Sequence, residues 1–489
     1  MKPARGNAAL FAAALAVRLA GIGRENFWID EVNTVTVSRG SPLHVLERMR
    51  LFGESHPPLY YFLLSAWMTI AGEGDTAVRV LSAILGALAV PLAVSIAREM
   101  APEAGLFAGV LAVLAPGMIQ YSQEARMYAL LTALAGGVLL LWLRGAPVLR
   151  EKVVLAILTT LLLLTHHVGL FFGAALGVLG LALPGKRLAR ALPLLAGLAL
   201  YSPWLAVLAR QWATTRRFFT WNVVRSPLVE LLRIGPATFL GDAAEHRIAG
   251  RIAQGLVAVA ALAGLAVLAR ADRAKAARLG GALALPPLMV LAFSALPSSA
   301  SLLHRRYFCF LAVGAVALPA MACARRAAGI ALLAALAVSF GALDVARLVH
   351  REHLDARGIA AFLDGELGAG DPVLHASIEG IPQEAFLLCR HYRPGWRHVL
   401  VARAGQAFSL ETSGYVGSAT VYPDLAAALH HEGEGRRRVA VVFSGMLGPA
   451  SVSAVATPRP EIPPGWRIRT EHPLYRADVL VLERGPDGG

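Results

Sequence analysis

The sequence predicts an all-α polytopic membrane domain of about eleven transmembrane helices, followed by a small extracytoplasmic α/β domain. Three observations predict it. Only 16% of the 489 residues are charged while 56% are hydrophobic, against about a quarter charged in an average soluble chain. The apolar residues are gathered into runs long enough to enter a bilayer. From residue 350 onward the chain turns more polar, and its apolar stretches become short: 372–375 (Pro-Val-Leu-His), 438–443 (Arg-Val-Ala-Val-Val-Phe) and 478–482 (Asp-Val-Leu-Val-Leu). Runs of that length read as strands, and a helical pattern over 354–367 precedes the first of them.

Taken in order, the candidate spans are 8–22, 79–97, 104–119, 127–143, 153–164, 168–183, 192–208, 252–268, 280–296, 307–322 and 329–348. The first follows Lys2 and Arg5 and ends without a small-residue cleavage site, so it reads as a retained helix with a cytoplasmic N-terminus. Five basic clusters separate the spans: Arg98; Arg144, Arg150 and Lys152; Lys186, Arg187 and Arg190; Arg270, Arg273, Lys275 and Arg278; and Arg325 with Arg326. All fall on one side if the eleven spans alternate, which is the positive-inside pattern of a plasma-membrane protein. That pattern accounts for the net charge of +14 and excludes a nucleic-acid partner, since no aromatic stripe runs through the basic residues.

Residues 57–70 test this scheme. The run is apolar but reaches only ~21 Å as a helix, and counting it as a crossing would reverse the charge rule for every later loop. It reads as a juxtamembrane or re-entrant helix entered through Pro57 and Pro58. The outer face then receives loops 23–78, 120–126, 209–251 and 297–306. Domain boundaries fall at 1–349 for the membrane domain and 350–489 for the tail, which parity places outside. Cys309, Cys323 and Cys389 are too scattered to form a disulfide framework or a metal site.

Acidic residues at the membrane boundary carry the chemical information. Asp30 and Glu31 follow the first span, and Glu124 lies at the outer mouth of a later pair. Two carboxylates meeting at a lipid–water boundary suit acid–base work on a polar substrate delivered by a lipid. A lipid phosphate as leaving group needs fixed positive charge, for which the planar arginine fork is suited. Arg305 and Arg306, ahead of Tyr307, are the first candidates. Arg126 and the basic, aromatic run 210–225, with Trp221, come next. His56, His166 and His167 add polar groups at the same level. Taken singly, each has a plainer explanation as an interfacial or capping residue. Arg18, in the outer half of the first span, either faces a cavity or snorkels. The adjacent His166 and His167 do not share a helix face, so they read as interfacial packing before a metal pair.

With these residues in view, the chain resembles the GT-C glycosyltransferases, and most closely the bacterial family 39 group of protein mannosyltransferase-like and aminoarabinose transferase-like enzymes. Four stretches carry the likeness, in family order, across roughly the first 350 residues: Trp28-Ile-Asp-Glu31, His56-Pro-Pro-Leu-Tyr-Tyr61, Tyr121-Ser-Gln-Glu-Ala-Arg-Met-Tyr128 and Arg306-Tyr307. The resemblance implies a GT-C fold and an inverting transfer from a polyprenyl-phosphate-linked sugar. It implies Asp30 as catalytic base, with Glu31 beside it and Glu124 as a second acidic site. His56, Tyr60, Tyr61, Arg126, Tyr128, His166, Arg305, Arg306 and Tyr307 become substrate-binding residues. Where aminoarabinose transferases have Lys-Pro-Pro, this chain has His56-Pro57-Pro58, a weaker phosphate ligand when neutral. No cofactor follows from the motifs, and dependence on a divalent metal stays open. The alternative is a transporter or flippase of lipid-linked saccharides, which would favour midplane polar residues, broken helices and internal repeats. The donor sugar and the acceptor, whether protein, lipid or glycan, are not specified.

Overall fold

The computed structural model describes residues 3–215, 227–241, 248–295, 302–349, 354–368, 370–376, 383–401, 420–444, 461–474 and 477–485. Lys2, residues 216–225 of the basic aromatic run (Trp221 among them) and residues 297–301 of the last outer loop lie outside the described residues. The chain divides into two compact units. One comprises Met1–Ile22, Ser38–Met49 and Glu54–Val349; the other comprises Gly23–Val37, Arg50–Gly53 and His350–Gly489.

The helices, in chain order, are α1 (Pro3–Leu19), α2 (Ile29–Ser38), α3 (Pro42–Leu51), α4 (Leu59–Ala71), α5 (Asp75–Met100), α6 (Ala104–Leu114), α7 (Pro116–Gln120) and α8 (Tyr128–Arg144). They continue with α9 (Leu149–Leu163), α10 (Val168–Ala182), α11 (Arg187–Tyr201), α12 (Leu205–Thr215), α13 (Pro227–Leu240), α14 (Ile248–Ala271) and α15 (Arg273–Ser294). A 3₁₀ segment, Arg305–Leu311, leads into α16 (Ala312–Ala315) and α17 (Ala317–Cys323), and α18 (Arg326–Val349) closes the first unit.

Among the described residues five stretches are long and apolar enough to cross a bilayer: Asp75–Met100, Arg187–Ala213, Ile248–Ala271, Arg273–Ser294 and Ala327–Val349. The pair Arg305–Ala315 and Ala317–Cys323, bent by 43°, makes a sixth. Gly6–Leu19, Leu59–Ala71, Ala104–Leu114, Tyr128–Arg144 and Val168–Ala182 are apolar but shorter, so each needs tilt, flanking residues or a thinned bilayer to match the hydrocarbon. Residues 57–70 form one of these short helices, α4. Helix contacts are close where glycine permits: a Cβ on Gly264 of α14 would lie 1.7 Å from the Leu318 carbonyl oxygen of α17, the small-residue device of helix pairs in lipid.

Two spans and one loop depart from the sequence reading. The run 104–119 is broken, because Pro116 disfavours a helical residue before it; Ala115 takes an extended conformation (φ −64°, ψ 114°) and α7 starts afresh. The run 307–322 starts as a 3₁₀ segment and bends. Loop 209–251 contains α13, which packs on α7 and on the 3₁₀ segment.

Among the described residues the second unit is built on a six-stranded mixed sheet: β1 (Pro372–Ala376), β2 (Arg397–Val401), β3 (Val421–Tyr422), β4 (Arg438–Ser444), β5 (Trp466–Leu474) and β6 (Ala477–Arg484) in the order β3-β2-β1-β4-β6-β5. The strands β3, β2, β1 and β4 run parallel, while β6 is antiparallel to both β4 and β5. Parallel neighbours need crossover helices: α20 (Gln383–Tyr392) joins β1 to β2, and α21 (Leu425–Glu432) joins β3 to β4, with α19 (Ala356–Glu366) ahead of β1. Leu374, Val399, Val441, Leu480 and Leu482 form the core on one face with Ala428 and Leu429 of α21. On the other, Ile29 packs against Phe386, Leu387 and Leu400. The Phe27 N–H donates to the Tyr392 hydroxyl at 2.8 Å, so part of the long first loop folds with the tail.

Candidate active site

In the first unit four segments converge on one buried imidazole. His166 sits in the turn between α9 and α10, 4% exposed. Its ring centroid lies 5.2 Å from that of His56, ahead of α4, and 5.2 Å from Tyr307 in the 3₁₀ segment. Tyr128, at the start of α8, lies 6.2 Å away and itself meets Tyr121 at 5.4 Å. The Val168 N–H donates to His166 Nδ1 at 3.2 Å, which puts the proton of the neutral ring on Nε2. Burial pushes the His166 pKa well below its ordinary value, and the charges of His56, His167 and Arg126 act in the same direction. His167 donates from Nε2 to the Ser55 carbonyl at 2.6 Å. Burial, then His56, lowers its pKa to about 4 against the opposing pull of that carbonyl. Both rings are therefore neutral at physiological pH.

His56 is bound differently. Its Nδ1 lies 2.7 Å from the Glu54 carboxylate, which is 8% exposed. Gln211 of α12 donates to the carbonyls of Glu54 (2.8 Å) and His56 (3.1 Å) and so fixes this stretch of backbone. His56, His166, His167, Gln211 and Tyr307 line a cavity of about 380 Å³ whose other walls include Leu170, Phe171, Leu205, Leu208, Trp212 and Phe293. A continuous polar patch thus opens onto an otherwise apolar chamber, the pattern of a site for an amphipathic ligand.

Glu124 lies in the turn after the Pro116 break. Gln120 Nε2 is 3.5 Å from its Oε1, and Cys309 lies within electrostatic reach of both Glu124 and Arg306. Arg126 is 4% exposed; its carbonyl accepts from Ser82 Oγ at 3.4 Å, and Ser82 in turn meets the Tyr60 hydroxyl at 2.8 Å. Tyr60 and Tyr61 are fully buried on α4. Arg305 has Glu230 of α13 at 3.6 Å. The turn is clamped from behind. Arg18 neither snorkels nor faces the cavity: it is fully buried and donates to Ser122 Oγ, Ala14 O and Ala112 O, each at 3.2 Å. Gln123 donates to Arg18 O (2.9 Å) and Ala20 O (2.8 Å) and accepts from Arg347 (3.0 Å).

Asp30 and Glu31 belong to the second unit, in the first turn of α2. Glu31 is fully buried and accepts from the Trp28 N–H at 3.2 Å, the reach-back half of a capping box. Its carboxylate thus shapes the helix start beside Asp30. Sequence reasoning missed Glu54, Gln211 and Glu230. The first had a signal, a carboxylate two residues before His56; Gln211 lay within the run 210–225 without being singled out, and Glu230 arrives from a distant helix with no signal. Among the described residues no set of three His, Cys, Asp or Glu side chains is placed to hold a metal.

Residues 55–209 match the family model described as dolichyl-phosphate-mannose-protein mannosyltransferase. That range contains His56, Tyr60, Tyr61, Glu124, Arg126, Tyr128 and His166. The crystal structure of ArnT from Cupriavidus metallidurans in the apo state is similar to this chain with a TM-score of 0.59 at 17% identity, over 98% of each chain. The structure of the same protein bound to undecaprenyl phosphate gives 0.60 at 17% identity, over 97% of each. The likeness to these two structures shows that the chain shares their fold. With its apolar helices of bilayer length it is a multi-pass membrane protein. A comparison with curated proteins found no match.

Proposed function

We propose that this protein is an integral membrane glycosyltransferase that moves a sugar, with inversion, from a polyprenyl-phosphate carrier to an acceptor at the extracytoplasmic face of the plasma membrane. The observation that carries this reading is the apolar cavity of about 380 Å³ with its patch of His56, His166 and Tyr307, to which Arg126 is electrostatically coupled through His166. A prenyl chain needs apolar walls, and its phosphate needs donors and fixed positive charge. The likeness to a protein whose crystal structure contains undecaprenyl phosphate supports the same class of carrier.

In this reaction an acceptor hydroxyl attacks the anomeric carbon from the face opposite the phosphate. Its proton passes to a carboxylate base as the carbon–oxygen bond breaks, and the electron pair leaves on the phosphate oxygen. Asp30 is proposed as the base, with Glu31 holding the helix start beside it and Glu124 as the second acidic group. Arg126, Arg305 and Arg306 are proposed to stabilise the departing phosphate. The N-terminus is assigned to the cytoplasm and the C-terminal unit to the outside.

The test is transfer in membranes supplied with polyprenyl-phosphate sugars. Asp30→Asn and Glu124→Gln should each lower turnover by ~100-fold or more while lipid binding persists. Unchanged turnover in both variants would remove the assigned carboxylates.

A further inference from the structure

Asp30 stands in the first turn of α2, and α2 is entered through Gly23–Trp28, a segment with neither helix nor strand. A stretch of that kind keeps its backbone freedom unless other groups hold it. Two helices from the far end of the chain supply those groups. Arg357 of α19 donates through Nη2 to the carbonyls of Gly23 (3.1 Å) and Arg24 (2.5 Å). Tyr392, the last residue of α20, accepts the Phe27 N–H on its hydroxyl at 2.8 Å. The neighbouring His391 ring meets the buried Phe27 ring edge-on at 5.4 Å. Ile29 then packs on Phe386 and Leu387 of α20 and on Leu400 of β2. The ties on Gly23, Arg24, Phe27 and Ile29 thus run up to the residue before Asp30. From there the helix holds itself, because the Trp28 N–H donates to Glu31 at 3.2 Å and the Thr34 hydroxyl to the Asp30 carbonyl at 2.7 Å.

The sheet does not need these ties for its main core, which runs from Leu374 to Leu482 and takes no residue from the first loop. What they fix is the place of one carboxylate. We infer that the C-terminal unit, acting through Tyr392 and Arg357, is the positioning element of the proposed base. The inference rests on the assignment of Asp30 and gives the C-terminal unit a part in the same reaction. A base works only within hydrogen-bond reach of the proton it takes, and a displacement of about 1 Å can cost ~100-fold in rate. Tyr392 and Arg357 act through the backbone ahead of Asp30, so losing either lowers the share of molecules with the carboxylate in reach and leaves carrier binding alone.

The experiment is a double-mutant cycle in the full-length protein. Turnover is measured in membranes supplied with undecaprenyl-phosphate mannose, glucose or arabinose, using whichever the wild type transfers fastest. Undecaprenyl phosphate binding and the thermal midpoint are read on the same variants. Tyr392→Phe should lower kcat by ~10-fold and leave the donor KM and undecaprenyl phosphate binding as they are. Arg357 is exposed, so Arg357→Gln spares the core of the unit and should lower kcat in the same way, by ~3-fold. In the Asp30→Asn background neither change should lower turnover further, because there is no base left to place. Asp424→Ala loosens the same unit at the start of α21, where Asp424 accepts from the Ala427 N–H at 2.8 Å; it should lower the thermal midpoint and leave kcat unchanged. Wild-type kcat in both Tyr392→Phe and Arg357→Gln would overturn the inference. So would a loss that persists in the Asp30→Asn background, or an equal loss in Asp424→Ala. Wild-type turnover by Asp30→Asn alone would instead remove the base, and a wild type that transfers from none of the three donors would remove the donor reading; the inference falls with either.

Discussion

Gly86 shows how tightly the turn bearing Glu124 is held from behind. A Cβ added there would lie 1.9 Å from Ser122 Oγ and 3.3 Å from Arg18 Nε, so the side chains that clamp the turn occupy the space a larger residue would need. Gly86→Ala should therefore destabilise the protein by ~1–3 kcal/mol, read as a lower thermal midpoint in detergent. An unchanged midpoint would mean that Ser122 and Arg18 have room to move. His166 and His167 carry a related lesson. Their adjacency argued against a metal pair, and in the turn where they stand each ring binds a different backbone group. Of the residues around the cavity the sequence singled out the polar ones, His56, His166, His167 and Tyr307, while the apolar walls come from α10, α12 and α15. Glu54 escaped because its pairing with His56 depends on a local bend that no periodicity encodes.

Among the elements, the long apolar helices were legible because hydrophobicity over twenty residues leaves few alternatives. The breaks were less so. Pro116 lies inside an apolar run and could have been read as a kink, but only the extended Ala115 shows that a new helix begins. Helix α13 was invisible: Gly235 and Pro236 lie within it, and such residues ordinarily signal a loop. Its packing on α7 and on the 3₁₀ segment supplies the stability its composition lacks. Two predictions belong at this scale. Gly264→Leu should prise α14 from α17, given the 1.7 Å approach of an added Cβ to the Leu318 carbonyl; the expected sign is a sharp loss of folded protein on size-exclusion chromatography. In the second unit Asp424 caps α21 by accepting from the Ala427 N–H at 2.8 Å. Asp424→Ala should cost about 1 kcal/mol, measurable as a lower denaturant midpoint.

For the whole molecule, the second unit contains an acid-sensitive pair. His398 Nε2 donates to the Arg393 carbonyl at 2.8 Å, which leaves its Nδ1 to accept from His375 Nε2 at 3.0 Å. An added proton on His398 Nδ1 would face another N–H. Burial lowers the pKa of both rings, with His398 further lowering that of His375. The folded unit thus keeps them neutral where the unfolded chain binds protons, and their contribution is intact above about pH 6.5 and lost as pH falls. Between pH 7.5 and 5.5 the melting midpoint of this unit should drop by ~5 °C, and His375→Phe should flatten that response. A wild-type midpoint indifferent to acid in this range would refute the relay.

The allocation of Gly23–Val37 to the C-terminal unit bears on biosynthesis. Ile29 rests on Phe386, Leu387 and Leu400, partners that leave the ribosome more than three hundred residues later. At roughly 5–20 residues per second, the stretch around Asp30 waits on the order of half a minute before its docking surface exists. A nascent chain halted at Val349 would insert its helices yet leave that stretch unshielded, so chymotrypsin cleavage after Phe27, fully buried in the finished unit, should mark truncated chains and spare finished ones.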